Sequence, residues 1–102
     1  RKTYLQPEKK NMNPERAELI LKLLEKEKAA EAKKALDETE AEDTEKYWLL
    51  KGKIEQKFQN WGESLNAYHK VLELNPDNPE AKNNIHIIKN ILNFWNPEMF
   101  NP

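Results

Sequence analysis

The tripeptide Asn-Pro-Glu occurs three times in this chain, at residues 13–15, 78–80 and 96–98, and each copy constrains where a helix starts or stops. Asparagine accepts hydrogen bonds from the unpaired amides of a first helical turn. Proline suits a first-turn position whose N–H would have no helical partner, and glutamate favours the positive end of the helix. The first two copies each open a long amphipathic stretch. The third follows apolar sequence, where Pro97 lacks the donor that continuation requires, so it breaks the helix and opens a short terminal turn. A chain punctuated in this way folds as a succession of helices joined by short polar turns.

Between these marks the apolar residues recur at helical spacing. Ala17, Ile20, Leu21 and Leu24 form one stripe, Glu25–Lys28 reads as a polar turn, and Ala29, Ala32, Ala35 and Leu36 give the inner face of a thin second helix. Tyr47, Leu50, Ile54, Phe58 and Trp61 continue at the same period, and Trp61, Ser64, Tyr68 and Val71 line the helix that follows. After the turn at Pro76, Ala81, Ile85, Ile88, Leu92 and Trp95 step by four and three along a last helix. The chain has only two glycines, and its β-branched residues mostly stand singly, which argues against a sheet. The expected fold is all-α and antiparallel. Residues 1–12, with Pro7 and no periodicity, form a mobile or loosely docked N-terminal arm. Residues 13–44 form a first hairpin, 45–78 a second, and 79–102 a C-terminal capping helix and tail.

The stretch Glu45–Asn78 resembles a tetratricopeptide repeat. Trp48, Gly52, Trp61, Ser64, Tyr68, Val71 and Pro76 meet the family's pattern of aromatic, glycine, aromatic, small residue, aromatic, small residue and proline. Lys51 and Glu55 depart from it, standing where the family usually has leucine and tyrosine; the apolar stripe lies one residue off, so the helix is expected to be rolled by part of a turn. Gly52, without a side chain, lets the next helix approach closely. Ala32 and Leu36 carry a fainter likeness to a degenerate first repeat, and the C-terminal end resembles that of small stand-alone bacterial members. The resemblance implies an antiparallel helix-hairpin solenoid of two hairpins plus a capping helix.

Composition removes whole classes of function. One hundred and two residues support one small domain, and the absence of cysteine leaves no disulfide framework or thiolate metal site. No apolar run approaches the length of a membrane span, and Arg1 is followed by no apolar signal core, so a cytoplasmic protein is expected. Net charge is −1, with a basic start and ten acids against six bases over residues 13–44. That balance gives no concentrated basic face for nucleic acid. The acidic run Asp37–Asp43 lacks the glycine and alternation of a calcium loop and reads as a solvated loop. Catalysis has no foothold either. Ser64 occupies a packing position, His69 lies on another side of the same helix, and two histidines do not complete a zinc site. No enzyme activity, cofactor or metal is expected.

Function is therefore sought in surfaces, with a protein or peptide as partner. By the resemblance, the first helix of each pair lines a concave groove. Its positions here are Lys46, Leu49, Lys53 and Gln56, joined by Ala17 and Leu21 from the first hairpin and by Glu80, Asn83, Asn84 and Ile87 from the last helix. Leu49, flanked by Lys46 and Lys53, is an apolar spot on a wet face. The cationic fork with which some members hold acidic C-terminal peptides is absent, since Ala17, Leu21, Leu50, Glu80 and Asn84 occupy its positions. The last helix also carries a second apolar stripe, Asn84, Ile87, Ile91 and Phe94, which one hairpin cannot cover together with the first. Either the tail at Met99–Phe100 folds over it, or a partner helix or a second copy docks there. The expected function is a non-enzymatic interaction module using the groove or this C-terminal face, with homodimerisation through the last helix as the alternative.

Overall fold

The computed structural model describes residues 9–95 as five helices: α1 (Pro14–Glu25), α2 (Ala29–Asp37), α3 (Glu45–Lys57), α4 (Trp61–Leu74) and α5 (Pro79–Trp95). Among the described residues there is no strand, only an isolated bridge between Lys10 and Thr39. The chain is all-α, as the periodicity predicts. It divides into two compact units, Arg1–Glu42 and Asp43–Pro102, so the expected second hairpin and C-terminal helix belong to one unit. Residues 1–8 of the arm, the side chain of Trp95 at the end of the last stripe, the third Asn-Pro-Glu and the Met99–Phe100 tail lie outside the described residues.

The capping residues act as their chemistry requires. Asn13 Oδ1 accepts from the Arg16 amide at 2.8 Å, Thr44 Oγ1 from the Tyr47 amide at 3.2 Å, and Asn78 Oδ1 from the Ala81 amide at 2.9 Å. α1 and α3 also end alike. Glu27 and Gln59 both take φ of 61°, and the amides that follow turn back to Leu23 O (2.8 Å) and Glu55 O (2.9 Å). Neither of the chain's glycines supplies these left-handed positions.

In the first unit Ala17, Ile20 and Leu24 of α1 are buried together with Ala32, Ala35 and Leu36 of α2. The acidic run is solvated at its carboxylates, with Asp37, Glu38, Glu40 and Asp43 exposed, but it is anchored at Thr39. Asp37 closes α2, and Thr39 is buried, donating its hydroxyl to Ala35 O at 2.8 Å and accepting from Arg16 Nε at 2.6 Å. Arg16 Nη2 also donates to Ala35 O at 2.9 Å. The backbone beside Thr39 holds the end of the arm: Lys10 N donates to Glu38 O at 2.9 Å and Glu40 N to Lys10 O at 2.7 Å.

In the second unit α3 and α4 are joined by three residues and lie side by side, a connection short enough to make them antiparallel. Gly52 is why they meet closely. A Cβ built on it would stand 2.8 Å from Cε1 of Tyr68, and its carbonyl accepts from Ser64 Oγ at 2.8 Å. Tyr68, Val71, Ala81, Ile85 and Ile88 form a buried cluster between α4 and α5. Two aromatic expectations change. Phe58, placed on the inner stripe of α3, is the residue after its end and is 41% exposed. Trp61 packs against the cluster but is only half-buried. Tyr68, fully buried, is the aromatic on which the packing turns. Glu55 is buried; Asn60 Nδ2 donates to it at 2.7 Å and Lys51 Nζ lies 3.8 Å away.

The turn between α4 and α5 is tied to the start of α3 through one carboxylate. Glu45 Oε2 accepts from Asn78 Nδ2 at 2.6 Å and from Asn75 Nδ2 at 2.8 Å. These amides, Asn78 foremost and then Asn75, hold the Glu45 carboxyl below its ordinary value of 4.5. A carboxyl whose folded pKa is lowered adds stability above its unfolded pKa and loses it as pH falls through the folded value. The melting temperature of the parent is therefore expected to fall on acidification between about pH 5 and pH 3 more than that of Glu45→Gln. Equal pH slopes in the two proteins would show that the carboxylate is not held as described.

Candidate interaction surface

α3 and α5 meet on one side of the second unit, where Lys53 Nζ lies 2.6 Å from Glu80 Oε2. Helical spacing carries that side along each helix: Lys46, Leu49, Lys53 and Gln56 on α3, and Glu80, Asn84, Ile87 and Ile91 on α5. Most of the groove positions suggested by the resemblance thus fall on two helices that contact at Lys53 and Glu80.

Their availability to a partner differs. Lys46 and Asn83 are exposed, and Lys53 is half-buried and engaged by Glu80. Leu49 is also half-buried, packed against the Tyr68 cluster, so it is part of a packed wall and not the isolated apolar spot inferred from its lysine neighbours. Gln56 turns inward, its Oε1 accepting from the Tyr68 hydroxyl at 2.6 Å. Burial, and then the Glu80 carboxylate, raise the pKa of that hydroxyl, which keeps it a neutral donor. Lys53, Gln56, Tyr68 and Glu80 therefore form a polar seam joining α3, α4 and α5, buried at Tyr68 and open to solvent at Glu80.

Above the seam, α5 offers most of the exposed surface. Ile87 is 39% exposed, Ile91 is half-buried, and Phe94 is 74% exposed. Asn84 is half-buried and donates to Glu80 O at 2.8 Å. The two stripes of α5 separate as its periodicity predicts: Ala81, Ile85 and Ile88 are buried, while Ile87 and Phe94 face outward. The first unit supplies less than expected. Ala17 is 2% exposed and has no surface to present, and Leu21 is half-buried. Leu50, at one position of the missing cationic fork, is buried as well.

Chemistry-bearing side chains are elsewhere engaged. Ser64 is fully buried with its hydroxyl donated to Gly52 O, and His86 lies 3.3 Å from Asn90 Nδ2 on the exposed side of α5. Among the described residues no group of three or more histidines and carboxylates could hold a metal ion, and no helix is long and apolar enough to cross a membrane.

The tie from Glu45 to the turn between α4 and α5 was beyond sequence reasoning. Glu45 is separated from Asn75 and Asn78 by 30 and 33 positions, and nothing local pairs them. The asparagines read as turn formers, which they also are. No protein-family model, no curated protein and no solved structure matches this chain.

Proposed function

We propose that this chain is a non-enzymatic protein-interaction module, a tetratricopeptide-like helix-hairpin solenoid whose α5 surface and adjoining α3 side take a peptide or partner helix. The observation that carries this reading is the apolar side of α5, where Ile87 and Phe94 are exposed and Ile91 is half-buried, on the helix side that begins at Glu80. Contiguous apolar surface of this kind, rimmed by polar groups, marks interaction sites more often than scattered exposed residues do. The close approach of Tyr68 to Gly52, with Ser64 buried at the small-residue position, supports the repeat resemblance.

Replacing Ile87 and Ile91 together by lysine tests the surface. Capture of partners from the native host by immobilised protein is expected to be lost. The melting midpoint should stay within about 4 °C of the parent, the shift that roughly 0.5 kcal/mol gives a chain of this length. A much larger drop would place the stripe in the core, and an unchanged set of captured proteins would remove α5 from the binding surface. A second reading, self-association through the same helix, rests on the same exposed Ile87.

A further inference from the structure

We draw no further inference here: the strongest candidate, the apolar side of α5 at Ile87 and Phe94, belongs to the surface already described, and nothing in the structure shows what covers it.

Discussion

Tyr68→Ala is expected to lower the melting temperature by roughly 15–30 °C, the largest effect of any single truncation in this chain. The side chain is fully buried in the cluster that joins α4 to α5, and its ring closes against Gly52 of α3. Removing a buried aromatic ring costs about 3–5 kcal/mol in lost transfer energy and cavity. A small domain has only about 5–15 kcal/mol in total. Each kcal/mol moves the midpoint of a chain this size by about 4–8 °C. The hydroxyl contributes less. Tyr68→Phe keeps the ring and loses one hydrogen bond to Gln56, worth about 1 kcal/mol. Thermal melts of the two variants decide the matter. A Tyr68→Ala protein melting as high as Tyr68→Phe would mean that the ring does not hold the helices together.

Gly52→Val is expected to destabilise by roughly 2–4 kcal/mol, against the direction that helix propensity alone predicts. A Cβ at this position would stand 2.8, 2.9 and 3.0 Å from three carbons of the Tyr68 ring, the first two closer than real Cβ atoms approach a neighbour. The ring is buried and bonded at its tip to Gln56, so it has no easy way to yield. Gly52→Ala meets the same obstacle with one carbon only. Its propensity gain of about 1 kcal/mol offsets part of the clash, leaving a smaller net loss. The coupling is the sharper observation. In a Tyr68→Leu background, which lacks Cε1 and Cζ, Gly52→Ala should cost less than in the parent. An alanine variant more stable than the parent would show that the helices have room to spare.

Helix identity and orientation were legible because both depend on neighbours in sequence. The caps at Asn13 and Asn78 and the turn after Glu25 stand where the residue types put them. The inward faces of Ala17, Ile20 and Leu24, and of Ser64, Tyr68 and Val71, followed from the three- and four-residue spacing that stacks side chains on one side of a helix. The separation of α5 into a buried and an exposed stripe was likewise present in its periodicity. Gly52 was legible as a point of close approach, though not the ring that fills it.

The tertiary structure decided whatever depends on which faces meet. Periodicity placed Phe58 inside, but the helix stops one residue earlier and the side chain turns out. Thr39 reads as part of a solvated acidic run, and Arg16, 23 positions away, makes it a buried anchor. Leu49 reads as an apolar spot among lysines until α4 and α5 pack against it. Glu45 and Glu80 look like ordinary first-turn acids, yet each binds across the unit, one to Asn75 and Asn78 and the other to Lys53. A residue's own neighbours settle its helix and its side of that helix. Its hydrogen-bond partner, and whether water still reaches it, depend on chain folded back from tens of residues away.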